Sequence, residues 1–117
     1  MRHRKEGKKF NRLRGDRISF LRNLANDLIR SGKIETTEVR AKAIRPIVER
    51  LVTIAKKETL ASRRLLISRI QNERVVKKLI DQIVPKYKDR QGGYLRVTKL
   101  GVMRKRDAAP VATVEFI

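Results

Sequence analysis

The chain has 117 residues, no cysteine and a formal net charge of +19, from 31 Lys and Arg against 12 Asp and Glu. This length suits one domain with a single modest core, and the 40% of hydrophobic residues is enough for most of it to fold. The lack of cysteine excludes disulfides and zinc ribbons and fits a reducing compartment. Because so much positive charge repels itself, we expect a polyanionic partner.

The pattern of apolar residues helps to decide which kind of polyanion the partner is. The longest run without a charged residue is 108–114, seven residues, whereas a membrane-spanning helix needs about twenty. No apolar segment follows the basic start, so we do not expect a signal peptide. These features favour a soluble, cytoplasmic protein that binds nucleic acid over one that binds a membrane or a secreted polysaccharide.

Residues 1–15 are predicted to form an extended basic arm. After Met1, the first seventeen residues contain eight Lys or Arg but only two large apolar side chains, Phe10 and Leu13. Such a segment cannot bury enough apolar surface to offset its ordering entropy. We expect it to become ordered on a nucleic acid, where it neutralises backbone phosphates and releases counterions.

Helical spacing begins at Ile18, after Asp16 as a predicted N-cap, and ends at Gly32. The segment 33–37, KIETT, is predicted to be a strand, and Thr37 to cap a second helix that ends near Lys57. Two further helices, 59–71 and 72–85, are predicted. Their N-caps would be Thr59 and Asn72, and the second would stop at Pro85.

Two β-rich segments, QGGYLRVTKL and PVATVEFI, close the chain. The nine residues between them, 101–109, are predicted to form an exposed basic loop. Helices and strands are mostly segregated, which predicts an α+β fold for residues 16–117. In this fold, four helices would pack on one face of a small three-stranded mixed sheet, making two layers.

Residues for catalysis are nearly absent. The single histidine, His3, lies in the arm, where no scaffold would hold it for acid–base work. The acids are scattered near basic residues, as Glu73 is near Lys77 and Lys78, which favours surface charge pairing over a metal or catalytic site. We therefore expect that the protein is not an enzyme and that it binds no metal, no other cofactor and no small-molecule substrate.

The basic residues of the body favour a nucleic-acid surface, although a charge run is also compatible with a merely solvated face. Gly92-Gly93 lacks the helix and Lys-Ser or Lys-Thr of a P-loop. It is either a turn before a strand or a turn that lets the backbone approach an RNA phosphate. Aromatic residues are too few for a base-stacking platform. The clusters that stand out are Arg63-Arg64, the segment 86–90, and Arg104, Lys105 and Arg106.

Several segments resemble the family of bacterial large-subunit ribosomal protein seventeen. They are MRHRKEGKKFNR, Arg22-Asn23, IETTEVRAKAIRPIVERLVTIAK, RQGGYLRV and DAAPVATVEFI, and together they cover essentially the whole chain. The resemblance implies a helix-on-sheet fold and a structural role in the large ribosomal subunit, near the polypeptide exit side. It also implies large-subunit ribosomal RNA and neighbouring ribosomal proteins as partners.

On this resemblance, and on charge, the candidate RNA-binding residues fall in the arm, on the first three predicted helices and in the basic loops. Thr36 and Thr37 also match family positions, but for Thr37 capping is favoured over RNA contact because a helix follows it directly. The candidates are Arg2, His3, Arg4, Lys5, Lys8, Lys9, Arg12, Arg14, Arg17, Arg22, Lys42, Arg45, Arg63, Arg64, Arg90, Gly92, Gly93, Tyr94, Arg96, Arg104, Lys105 and Arg106.

Two positions depart from the family pattern. Asp16 stands where the family often has His, so a histidine contact cannot be carried over. Arg106 stands where Gly is common, which puts the tight turn of that loop in doubt. An architectural protein that compacts DNA is the alternative, but the chain shows one candidate wedge, Pro110, and no second one beside it.

Overall fold

The structure, a computed structural model, describes residues 13–117. It contains four α-helices and three strands in the predicted order, with a π-helical and a 3₁₀ turn after the fourth helix. The elements are α1 (Arg14–Ser31), β1 (Lys33–Thr37), α2 (Glu38–Ala55), α3 (Leu60–Ile70), α4 (Glu73–Lys78), the π turn Leu79–Ile83, the 3₁₀ turn Val84–Tyr87, β2 (Leu95–Met103) and β3 (Pro110–Phe116).

The three strands form one sheet in the order β1-β3-β2. Both pairs are antiparallel, where the sequence had suggested a mixed sheet. The short connection between β2 and β3 makes them a hairpin, and a hairpin is antiparallel by construction. The central Val114 pairs with Ile34 on one side and Val97 on the other, so an apolar row crosses the sheet.

The helices pack on this row, which confirms the predicted two-layer α+β class. α2 contacts all three strands, and its buried side chains recur at helical spacing, as Ile44, Val48 and Leu51 do. Leu66 and Leu79 come from later helical segments and are fully buried in the same cluster. One core therefore holds the whole described region together.

Three predicted N-caps are confirmed. The Thr37 hydroxyl accepts a hydrogen bond from the Arg40 backbone N–H at 3.3 Å. Thr59 forms a reciprocal capping box with Ser62, with N–H to Oγ distances of 3.0 and 3.1 Å. The Asn72 side chain accepts from two backbone N–H groups of α4. Thr37 is thus a capping residue that connects β1 to α2 within the domain.

The predicted N-cap of α1 is wrong. The helix begins at Arg14, two residues inside the predicted arm, and its N-cap position is occupied by Leu13, which makes no capping hydrogen bond through its side chain. Asp16 lies in the first turn instead, where its negative charge complements the helix dipole. The C-terminal prediction is confirmed, because Gly32 has φ +80° and donates to the Leu28 carbonyl at 2.7 Å.

The last helical segment is less regular than predicted. Regular α-helix ends at Lys78, and the chain then widens into the π turn, in which the Val84 N–H reaches the Leu79 carbonyl. Pro85 has no backbone N–H to continue an α-helical ladder, and the chain tightens into the 3₁₀ turn around it. This brings Tyr87 into the core.

Candidate nucleic-acid interface

The candidate residues of the arm divide at the start of the described region. Arg14 and Arg17 lie in the first turns of α1, and Arg22 lies further along the same helix. The remaining arm candidates, Arg2, His3, Arg4, Lys5, Lys8, Lys9 and Arg12, lie outside the described residues.

Two candidates on α2 carry compensated charges. The Lys42 ammonium group lies 2.8 Å from a Glu38 carboxylate oxygen, and the Arg45 Nε lies 3.1 Å from Glu49. The hydrogen bond and charge of Lys42, aided by Lys99, hold the pKa of the Glu38 carboxyl below its usual value. Such i,i+4 pairs stabilise a helix only slightly, but each places a carboxylate beside the cation, so Lys42 and Arg45 present less free charge than their positions suggested.

The predicted pairing of Glu73 with Lys77 and Lys78 is not found among the ion pairs of residues 13–117. Lys78 instead donates to the Arg30 carbonyl near the end of α1. That bond joins the end of α4 to the end of α1, and it satisfies a carbonyl that the helix leaves without an internal partner.

The segment 90–96 is a turn that leads into an edge strand of the sheet. Gly92 and Gly93 have φ of +81° and +63°, a left-handed backbone that glycine adopts without strain. The turn interpretation of the glycine pair is thus consistent with their backbone geometry. Arg90 and Arg96 are exposed on either side of the turn.

Tyr94 does not lie on this surface. Only 2% of it is exposed, and its ring contacts Tyr87 with a centroid separation of 5.4 Å. Its hydroxyl donates to the Arg90 carbonyl at 3.1 Å and accepts from Lys56 Nζ at the same distance. Because its ring is buried and its hydroxyl bonds the Arg90 carbonyl, Tyr94 supports the 90–93 turn from inside the domain.

The predicted loop 101–109 is mostly an extension of the β2–β3 hairpin. β2 continues to Met103, so only residues 104–109 lie outside the strands. The register slips between Lys99 and Met103, where Gly101 has φ +73°, and this bulge bends the ribbon. The exposed tip carries Arg104, Lys105 and Arg106 away from the core.

Within the tip, the Arg104 side chain pairs with the Asp107 carboxylate. Its Nε lies 3.0 Å from one Asp107 oxygen and its terminal nitrogen contacts the other, a bidentate fork. This hydrogen bonding, with a further one from the Ala109 N–H, lowers the pKa of the Asp107 carboxyl. The positive φ of the turn falls at Ala108, so Arg106 in place of the family's glycine does not prevent the turn from closing.

Outside α1, six candidate cations are exposed and have no side-chain partner within residues 13–117. They come from three separate places, namely the middle of α3, the 90–96 turn and the hairpin tip. They are Arg63, Arg64, Arg90, Arg96, Lys105 and Arg106.

Sequence reasoning missed two arginines, Arg50 and Arg69. Together with Arg22 they surround an apolar groove between α1, α2 and α3. They lie about twenty or more positions apart along the chain, so no local charge cluster marks them. Helical periodicity could have placed each one beside the apolar stripe of its own helix.

Two further observations bear on the kind of site. Over residues 13–117, no group of three or more His, Asp or Glu is placed to hold a metal ion. Within the same range, none of the helices has both the length and the apolar character needed to span a bilayer.

Comparison with known proteins shows the family. The sequence profile of the family described as ribosomal protein L17 matches residues 20–117. Large ribosomal subunit protein bL17 of Persephonella marina is 50% identical over 118 aligned positions, covering all of this chain and 95% of the relative. The protein of the same name from Thermus thermophilus is 45% identical over 117 residues, with 100% and 99% coverage. That from Sphingopyxis alaskensis is 46% identical, covering all of this chain and 84% of the relative. This chain therefore belongs to the ribosomal protein L17 family, as its motifs predicted.

Proposed function

We propose that this chain is a structural constituent of the large ribosomal subunit that binds and stabilises folded large-subunit ribosomal RNA. The relatives are named as large-ribosomal-subunit proteins, and the L17 family is structural and non-enzymatic. The observation that carries the proposal is the +19 charge of a chain in this family. Such a charge calls for a polyanionic partner, and ribosomal RNA is the polyanion of the subunit for which the relatives are named.

The domain would act by positioning cations. Its single core fixes the directions of the α3 face, the 90–96 turn and the hairpin tip, which carry the six exposed cations. Guanidinium groups suit phosphate oxygens because they donate two parallel hydrogen bonds. Contacts of this kind set register and orientation on an RNA without reading its sequence.

The arm would add phosphate contacts of its own. Residues 2–12 hold six Lys or Arg and one acid, a composition that favours counterion release over self-contained folding. The proposal includes neighbouring large-subunit proteins as further partners and a cytoplasmic location, as for bacterial ribosomes. It includes no enzymatic activity, no cofactor, no membrane and no small-molecule substrate.

Salt titration tests the proposal. The purified chain is bound to protein-free large-subunit RNA between about 50 and 400 mM salt, with small-subunit RNA as the matched polyanion. We expect the logarithm of affinity to fall linearly with the logarithm of salt concentration, and large-subunit RNA to bind more tightly throughout. Salt-insensitive binding, or equal affinity for both RNAs, would contradict it.

A second measurement uses native assemblies. The chain should sediment with large subunits from a lysate and remain with them after a moderate salt wash, because many phosphate contacts dissociate slowly as a group. A chain that sediments only as a free protein would contradict the proposal.

A further inference from the structure

An apolar groove opens between the first three helices. Ile18 and Leu21 of α1 face Ile47 of α2 and Ile70 of α3 across it, and the cavity volume is about 260 Å³. Ile18 is 51% exposed, so within residues 13–117 part of this lining remains open to solvent. Leaving apolar lining in water costs free energy that an occupant would recover.

The rim of the groove is positively charged. Arg22, Arg50 and Arg69 come from three different helices, and no carboxylate is among the residues that line the groove. Arg22 donates to Ser19 Oγ at 3.0 Å, whereas Arg50 and Arg69 have no side-chain partner in the described part of the chain. The groove therefore combines an apolar floor with a rim that favours an anion.

A polar depression adjoins the groove and shares Arg22, Asn26 and Ile70 with it. Its volume is about 540 Å³, and its other lining residues include Arg30 and Asp27, whose carboxylate lies 3.8 Å from the Arg30 guanidinium. Asn26 stands on the boundary. Its Nδ2 donates to the Ile70 carbonyl at a long 3.4 Å, and its buried Oδ1 has no partner among residues 13–117. An unmet buried acceptor is costly, which points to a missing donor here.

We propose that this pair of cavities holds one unpaired nucleotide of the bound RNA, turned out of its helix. The base would lie in the apolar groove, and its ribose and phosphate would lie over the polar depression beside the three arginines. A nucleotide matches an apolar groove beside a polar, cationic one, since its apolar base faces are joined to an anionic backbone. This inference rests on the proposed RNA-binding function.

Size and charge both favour a base over a peptide. The groove is smaller than the roughly 300–1,000 Å³ of typical small-molecule sites, which suits one flat ring system. The groove itself contains no carboxylate, and Asp27, the carboxylate that lines the depression, is paired with Arg30. A peptide would need acidic side chains to match the three groove arginines, whereas every nucleotide brings its own negative charge. If the Asn26 amide turned toward the depression, an exocyclic amino group on the base or a ribose hydroxyl would donate to its Oδ1.

Site-directed crosslinking tests the inference. Because the chain has no cysteine, Ile18→Cys provides a unique attachment point for a benzophenone maleimide at the mouth of the groove. Leu60→Cys is the matched control, since Leu60 is 63% exposed and is not among the residues lining the groove. Each labelled full-length chain is bound to large-subunit RNA, irradiated, and mapped by reverse-transcriptase stops.

We expect the Ile18→Cys probe to crosslink to one unpaired nucleotide that the Leu60→Cys probe does not reach. Arg69→Gln, an exposed substitution that leaves the core intact, should lower that crosslink about tenfold, the loss of one charge-assisted hydrogen bond. Ile47→Arg should fill the groove and restore the chemical reactivity of that nucleotide to its protein-free level.

Two results would overturn the inference while leaving the proposed function intact. One is normal RNA binding with crosslinks only to base-paired nucleotides or to none. The other, in subunits assembled with the remaining proteins, is a crosslink only to a neighbouring protein, which would identify a peptide as the occupant. If the unmodified chain fails to bind large-subunit RNA, the proposed function itself is contradicted.

Discussion

The Lys56 ammonium group lies 3.1 Å from the hydroxyl of Tyr94 and 5.2 Å from the centre of its ring. Both groups also contact the Arg90 carbonyl, so the end of α2, the 90–93 turn and the start of β2 meet at one point. The exposed Arg90 thereby extends from a backbone that the core holds in place.

This relationship yields a first prediction. Tyr94→Phe removes the hydroxyl but keeps the buried ring, and it should lower the free energy of unfolding by about 1 kcal/mol, the net value of a hydrogen bond. Denaturant unfolding measures it. Lys57→Met, which removes the exposed lysine next to Lys56, is the control and should change stability little. Equal losses in both variants would contradict the role of the hydroxyl.

The glycines offer a matched pair. Gly93 has φ +63°, whereas Gly15 lies inside α1, and a methyl group added at either position would meet no atom within 4 Å beyond its immediate neighbours. Gly93→Ala should therefore destabilise the domain by about 1 kcal/mol through backbone strain alone, and Gly15→Ala should stabilise it by about 0.5–1 kcal/mol. Thermal unfolding of the two variants should shift in opposite directions, and shifts of the same sign would be inconsistent with this backbone.

Two adjacent leucines of α3 test the core assignment. Leu66 is fully buried and Leu65 is 40% exposed. Leu66→Ala should cost about 2–5 kcal/mol because it removes apolar contacts and leaves a cavity, while Leu65→Ala should cost much less. Urea unfolding measures both, and a reversed order would mean that α3 is rotated about its axis.

The hairpin tip should respond to pH in a defined direction. The pKa of Asp107 is lowered by Arg104, so the ion pair persists at neutral pH and is lost as pH falls through that lowered value. In an NMR titration the Asp107 carboxyl should titrate below 3.8, its ordinary value, and Arg104→Gln should move the midpoint upward. A midpoint at or above 3.8 in the unmodified chain would rule out the pairing in solution.

The arm supplies a prediction about RNA binding. Deleting residues 2–12 removes six Lys or Arg, so affinity for large-subunit RNA should fall and the salt slope should become shallower, since each phosphate contact contributes about 0.9 or less to it. Thermal stability should stay near its original value because α1 begins only at Arg14. Replacing those six residues with Ser at constant length should reproduce the loss of affinity. If the deletion weakened RNA binding and the Ser variant did not, the role of the arm's charge would be contradicted.

Local chemistry made much of this fold predictable. Apolar spacing and the capping residues Thr37, Thr59 and Asn72 marked three helix starts, and β-branched runs marked the three strands. These signals act over a few residues, so they are readable in one dimension. The motifs that resemble the family likewise predicted it, and the comparisons confirmed that prediction.

The sequence alone determined that this is a cationic α+β protein, because charge, periodicity and capping are properties of short segments, and its motifs resemble those of a ribosomal family. Tertiary packing decided the rest. It buried Tyr94, a candidate RNA-binding residue, compensated Arg104 with Asp107, and brought Arg22, Arg50 and Arg69 around one groove. Those outcomes depend on contacts between helices and strands that are far apart in the chain, and local propensities do not predict such contacts.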